Sequence, residues 1–121
     1  MHVWRDWILL GLLTLAGCGP VPLESRNVDE VAREAQKMSV PQLRAQARIA
    51  RDAIRARRAE IESLRQQRVN LGYDRQESPE AKKLDLRMHD VSLHLTNLLP
   101  IHKVYIDQLH AKSEDTSDLA P

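Results

Sequence analysis

Residues 39–71 read SVPQLRAQARIARDAIRARRAEIESLRQQRVNL, and this stretch decides the fold. It opens with Ser39-Val40-Pro41-Gln42, the Ser-x-x-Gln pattern of a capping box with proline in the first turn. No glycine and no further proline follows until Gly72, which supplies a helix stop. In alternating steps of three and four, eight of ten positions are apolar: Val40, Leu43, Ala47, Ala50, Ile54, Ile61, Leu64 and Leu71. The pattern predicts one long helix over 40–71 with a coiled-coil-like seam.

A second long helix is predicted over 79–111, because Ser78-Pro79-Glu80 is an N-cap signal with proline at the first helical position. The same three-and-four spacing selects Ala81, Leu84, Met88, Val91, Leu95, Leu98, His102, Tyr105 and Leu109. A strand is the alternative, since several leucines alternate along the segment, but the few β-branched residues favour a helix. The two predicted long helices, the arms of a hairpin, have nearly equal lengths, and a polar loop joins them over 73–77, so we predict an antiparallel hairpin. Pro100 should kink or split the second arm, because it removes one backbone hydrogen-bond donor.

A short third helix is predicted at the N-terminal side, over 28–38, with Asn27 as its cap and acidic residues in its first turn. Four apolar residues near and after Pro100 fall outside the second seam and need cover: Leu99, Ile101, Val104 and Ile106. We expect the short helix to fold over them, the alternatives being self-association or a client protein. Residues 112–121 are polar and acidic and are predicted to be a disordered tail. The fold class is therefore all-α: a two-helix hairpin domain over 28–111 with a short additional N-terminal helix.

The first eighteen residues indicate export rather than a membrane span. Residues 8–16 are apolar, which is too few to cross a bilayer as a helix but is typical of a signal-peptide core. This core closes on Leu15-Ala16-Gly17-Cys18, where Cys18 is the single cysteine of the chain. The alternatives are an ordinary secretory signal or a buried helix with an incidental thiol.

Leu15-Ala16-Gly17-Cys18 resembles the lipobox of bacterial lipoproteins. The resemblance implies that residues 1–17 are a signal peptide and that cleavage leaves Cys18 with a diacylglycerol on its sulfur and a fatty acyl chain, such as palmitate, on its amine. Residues 18–27 become a lipidated tether, and two or more acyl chains on Cys18 give stable membrane anchoring. Gly19 is not the aspartate associated with inner-membrane retention, so the expected site is the outer membrane, facing the periplasm.

Arginine is concentrated on the first long helix. Residues 40–71 hold eight arginines and no lysine against Asp52, Glu60 and Glu62, a local balance of +5, whereas the whole chain carries a net charge of +1. Six of the arginines form a continuous stripe: Arg44, Arg48, Arg51, Arg55, Arg58 and Arg65. This stripe predicts binding of phosphates or carboxylates in lipid head groups, lipopolysaccharide, a cell-wall polymer or an acidic protein. The alternative is a solvated flank that pairs partly with Asp85, Asp90 and Asp107 across the hairpin.

The sequence contains no pattern that predicts catalysis. A chain of 121 residues is too short for the large α/β enzyme folds, which need about 200 residues. The Asp85–His89 and Asp90–His94 pairs lie about 140° apart around a helix, so they cannot share a metal ion. We expect no catalytic residue, no metal and no cofactor beyond the covalent lipids, and export argues against a nucleic-acid partner. The expected role is structural or interactive; a small pilotin-like or carrier lipoprotein that holds a hydrophobic client is the alternative, and homo-oligomerisation remains open.

Overall fold

The computed structural model describes residues 22–121, which are helical and contain no strand. Three α-helices follow in order, α1 (Val28–Gln36), α2 (Val40–Asn70) and α3 (Pro79–Ala111). Short 3-10 turns lie at Leu23–Ser25, Tyr73–Arg75 and Ser117–Leu119. The predicted signal peptide, the lipobox and Cys18 lie outside the described residues. The all-α prediction is confirmed.

Local capping sets the helix starts where the sequence predicts them. The Asn27 side chain accepts from Asp29 N at 2.8 Å, and the Ser78 hydroxyl accepts from Ala81 N at 3.2 Å. At Ser39 the capping box is complete, because Gln42 Oε1 accepts from Ser39 N at 2.9 Å while the Ser39 hydroxyl accepts from Gln42 N. Gly72 follows α2 with a φ of 85°, a left-handed conformation that favours glycine.

The helices differ from the prediction at three points, the first being the end of α2 at Asn70 instead of residue 71. Helix α1 ends at Gln36, two residues before the predicted Met38. Helix α3 runs without interruption through Pro100, so the predicted splitting of the second arm is wrong. Leu98 and Ile101, on either side of Pro100, are fully buried, whereas Pro100 itself is exposed. Packing therefore holds the helix, and water can bond the carbonyl that the proline leaves without its usual helical donor.

The two long helices pack closely along the predicted seams. Every position of both three-and-four series is buried or half-buried, including Ile54, Leu64, Val91 and Leu98. The end of α2 contacts the start of α3, where Arg68 Nε donates to Asp85 Oδ1 at 3.1 Å. The period of the apolar residues thus predicted the buried face of each helix, and the strand alternative for the second arm is wrong.

Most of the core lies in the half of the molecule that contains α1, the start of α2 and the end of α3. One buried cluster joins Val31, Ala35, Leu43, Ala47, Ala50, Ile101, Tyr105, Leu109 and Leu119. Ile101 is fully buried in it, and Val104 and Ile106 pack against it. The short helix contributes Val31 and Ala35 to this cover, as predicted, and Leu119 of the tail completes it, but Leu99 stays 40% exposed.

The tail, residues 112–121, is ordered, and the predicted disorder is wrong. After α3 the chain reverses through Ser113, a non-glycine residue with a φ of 59°, and forms the turn Ser117–Leu119. The Leu119 side chain is fully buried in the main core cluster. Acidic composition predicts disorder only when a segment finds no apolar pocket or hydrogen-bond donors, and the neighbouring helices supply both.

Candidate functional site

The six predicted arginines, here called the arginine face, divide into two groups. Arg44, Arg51 and Arg55 hydrogen-bond to the tail, whereas Arg48, Arg58 and Arg65 form no hydrogen bond with it. The spacing of the first three places them on successive parts of one side of α2, which is the side where the turn Ser117–Leu119 packs.

Arg44 holds the acidic part of the tail. Its Nη2 lies 3.1 Å from Glu114 Oε2 and its Nη1 lies 3.5 Å from Asp118 Oδ1. The same guanidinium donates to the backbone oxygen of Asp115 at 2.7 Å. A planar guanidinium can make several such bonds at once, so one arginine contacts two carboxylates and one carbonyl.

Further along the tail, side chains of both long helices contact backbone carbonyls. Arg51 Nη1 donates to Asp118 O at 2.7 Å, and Arg55 Nη2 donates to Ala120 O at 2.9 Å. From α3, His102 Nε2 lies 2.8 Å from Leu119 O. A carbonyl only accepts, so this Nε2 carries the proton of the bond. The sequence pattern marked His102 as a seam position and did not predict this contact.

The remaining arginines of the face make no hydrogen bond to the tail, although Arg48 lies on the same side of α2 as Arg44 and Arg51. Arg48 and Arg58 are exposed and form no ion pair with any residue in 22–121. Arg65 pairs with Glu62 on its own helix at 3.0 Å. The arginine face forms no ion pair with Asp85, Asp90 or Asp107, so the alternative interpretation of partial pairing across the hairpin is wrong. Those aspartates pair with Arg68, Arg87 and Lys103, none of which belongs to the arginine face.

A second polar feature is the central ion-pair cluster of Glu24, Arg57, Glu60 and Arg87. Arg57 donates to Glu24 Oε1 at 2.9 Å and to Glu60 Oε2 at 3.1 Å, and Arg87 Nε donates to Glu60 Oε1 at 3.0 Å. These bonds join the turn Leu23–Ser25 to the middle of α2 and join α2 to α3. The sequence showed Arg57 only as an exception in the apolar series, and no local pattern could identify Glu24, which lies 33 residues away, as its partner.

The cluster changes the acid strength of its carboxylates. Hydrogen bonding from its own backbone N–H and from Arg57 holds the pKa of Glu24 below its ordinary value, although burial opposes the change. The bond from Arg87, followed by that from Arg57, lowers the pKa of Glu60. Both groups therefore favour the charged form in the folded chain.

An open cavity of about 420 Å³ lies beside this cluster, between the turn Leu23–Ser25 and α3. Glu24, Arg26, His94 and Asn97 line it. The buried His94 Nδ1 has no hydrogen-bond partner and lies 3.9 Å from Glu24 Oε1. No described residue of this lining is a cysteine or other strong nucleophile, and residues 22–121 hold no group of three or more His, Cys, Asp or Glu side chains arranged for a metal ion.

Comparisons of the chain with protein-family models, curated proteins and solved structures found no match. None of the helices within residues 22–121 combines the length and the apolar character needed to cross a membrane. The arginine face is the strongest candidate site, because Arg44 binds carboxylates of an acidic segment while Arg51 and Arg55 bind its backbone carbonyls.

Proposed function

We propose that the protein is a lipid-anchored component of the bacterial envelope with a structural or interaction role. In this proposal Cys18 carries the lipids, and the mature chain faces the periplasm from the outer membrane. The two long helices form an antiparallel, coiled-coil-like hairpin that presents the arginine face to an anionic envelope component or an acidic partner. No step of catalysis is assigned to it. The lipobox-like Leu15-Ala16-Gly17-Cys18 supports the anchor.

The observation that carries the interaction role is the contact of Arg44 with two carboxylates and one carbonyl of the tail. It supports the proposal, because a guanidinium group on this side of α2 already binds carboxylates of the tail. Arg48 and Arg58 extend the same positive surface and are exposed. Because surface guanidinium groups attract anionic lipid head groups by about 1 kcal/mol each, several of them together support measurable binding.

The short tether limits where the helices can lie relative to the anchor. Cys18 and Pro22 are separated by four peptide steps, which span at most about 14 Å when fully extended. The turn that follows Pro22 is joined to the middle of α2 by the Glu24–Arg57 pair. In this proposal the anchor attaches beside the middle of the long helices rather than at one end, on the side of α2 that carries Arg57, which helical geometry places about 140° from Arg44.

Vesicle binding by a soluble mature chain beginning at Gly19 tests the proposal. The probe is a vesicle of equal parts phosphatidylglycerol and phosphatidylcholine, with pure phosphatidylcholine as the neutral comparison. Replacing both Arg48 and Arg58 by Glu should weaken binding to the anionic vesicles by at least about tenfold. Lys82→Glu with Lys83→Glu is the matched control, because these exposed lysines on α3 give the same change of charge.

The result that contradicts the anionic-face proposal is equal binding by the wild type and the Arg48/Arg58 variant. Equal weakening by both double variants also contradicts it, because net charge alone then explains the effect. High salt should release the wild type, since exposed charges are screened over about 10 Å at 0.1 M salt.

The alternative is a carrier that holds a hydrophobic client. Leu86 and Leu93 support it, because they lie seven residues apart on α3 and are 70% and 50% exposed. The apolar surplus after Pro100, which first suggested a client, is largely covered by α1 and the tail. Salt distinguishes the two roles, because a client held by apolar contacts should remain bound where an anionic partner is released.

A further inference from the structure

The tail lies against the two long helices in the way a peptide ligand lies on its receptor. Its backbone carbonyls accept hydrogen bonds from side chains, rather than from a neighbouring strand or helix. Four carbonyls are bound in this manner, those of Asp115, Asp118, Leu119 and Ala120, by Arg44, Arg51, His102 and Arg55 respectively. Backbone carbonyls are present in every peptide, so these donors can hold any segment that follows the same path.

Side chains of the tail add selectivity to the backbone contacts. Leu119 is fully buried in the main core cluster, which also contains the small residues Ala47 and Ala50 of α2. Glu114 and Asp118 face Arg44. The surface therefore fits a segment that forms one 3-10 turn, with one leucine anchor and carboxylates before it.

We propose that this surface is a binding groove for acidic peptide segments with a leucine anchor, and that the tail is its resident, displaceable occupant. The proposal rests on the proposed function for the role of the arginine face and names the chemistry of one partner. A partner protein that carries such a segment competes with the tail for Arg44, Arg51, Arg55 and the Leu119 pocket. The groove is closed to that partner while the tail is docked.

Two features of the tail suit it to displacement. It leaves α3 through Ser113, whose φ of 59° is a conformation that non-glycine residues rarely adopt and that undocking can relax. Its ion pairs are partly exposed, since Asp118 and Glu114 keep 56% and 36% of their side-chain surface open. Being covalently attached, the docked tail has an effective concentration in the millimolar range, so a free peptide competes poorly until the tail is released.

The experiment releases the tail in the full mature chain and supplies the same peptide separately. Leu119→Asp places a carboxylate in the apolar pocket and should undock the tail. The probe is a fluorescent peptide of residues 113–121, SEDTSDLAP, followed by fluorescence anisotropy. The Leu119→Asp chain should bind it at least tenfold more tightly than the wild type. Ala120→Asp is the matched control, because Ala120 is exposed. In this variant the tail should stay docked and keep the groove closed.

The second half of the test is the peptide itself. A peptide carrying Leu119→Asp should bind at least tenfold more weakly to the opened chain than the natural peptide. Far-ultraviolet circular dichroism verifies that the opened chain retains its helices. Should that chain lose them, Leu119→Ala is the second variant, because it adds no charge, and its affinity for the natural peptide should exceed that of the wild type.

The proposal is overturned if an opened chain with intact helices fails to bind the natural peptide, or binds both peptides equally. Its failure is separable from failure of the proposed function. Loss of peptide binding with retained binding to anionic vesicles rejects the groove alone, whereas peptide binding without vesicle binding rejects the membrane-directed role of Arg48 and Arg58.

Discussion

Leu119→Ala should destabilise the protein by about 2 kcal/mol, although Leu119 lies in the tail, whose polar and acidic composition is typical of disordered segments. Its side chain is fully buried, and the substitution removes apolar groups that contribute about 0.8 kcal/mol per buried methylene. The cavity penalty of an interior site should be small here, because the tail can undock instead of leaving a void. Since about 1 kcal/mol shifts the Tm of a domain this size by roughly 4–8 °C, the expected decrease is about 8–16 °C.

Leu43→Ala is the matched control, because it removes the same groups from a fully buried position within α2. We expect a loss of about 3–4 kcal/mol there, since a helix held at both ends cannot close the cavity. Urea denaturation followed by circular dichroism measures both variants. A loss below about 0.5 kcal/mol for Leu119→Ala refutes the packing of the tail, and a loss equal to that of Leu43→Ala refutes its separate undocking.

Three further predictions concern the anchor, the seam and the central ion-pair cluster. Cys18→Ser should abolish lipidation, and intact-mass measurement of the membrane fraction should show the wild type without residues 1–17 and with added acyl chains; a wild type with neither change contradicts the lipoprotein proposal. Ile54→Asp should unfold the chain or lower its unfolding free energy by more than about 4 kcal/mol, because it buries a lone carboxylate. Ala59→Asp, at an exposed position, should cost less than about 1 kcal/mol, and equal melting curves for the two variants reject the predicted seam. Because the pKa of Glu24 is lowered on folding, ionised Glu24 stabilises the folded state above its ordinary pKa of 4.5, and this stabilisation is lost as the pH falls through the lower folded pKa. Glu24→Gln should therefore reduce the loss of unfolding free energy at acidic pH. An unchanged dependence of unfolding free energy on pH would show that the Arg57 pair contributes nothing.

Helix positions and the buried faces could be predicted from the sequence because both depend on neighbouring residues. Asn27, Ser39 and Ser78 bond to backbone groups two or three residues away, and these short-range bonds start the helices. The three-and-four spacing of apolar residues places them on one side of each helix, whichever partner covers that side. The predicted split at Pro100 was wrong, since the loss of one backbone bond was outweighed by the packing of Leu98 and Ile101.

The candidate site was predicted only in part. The sequence placed six arginines on one side of α2 and connected that side with acidic ligands, and the structure has Arg44, Arg51 and Arg55 in contact with an acidic segment. It could not reveal that this segment is the chain's own tail, which lies 65 to 74 residues further along. Nor could it separate the occupied arginines from the exposed Arg48 and Arg58.

The sequence by itself determined the all-helical class, the helix starts and the buried stripe of each long helix, because these follow from local hydrogen bonding and from the helical period. Only the tertiary structure decided the order of the tail and the partners of Arg57 and His102. A polar segment with one large apolar residue becomes ordered when distant side chains supply a pocket and donors for its carbonyls. Those contacts join residues far apart in the chain, so neither composition nor spacing encodes them in a readable form.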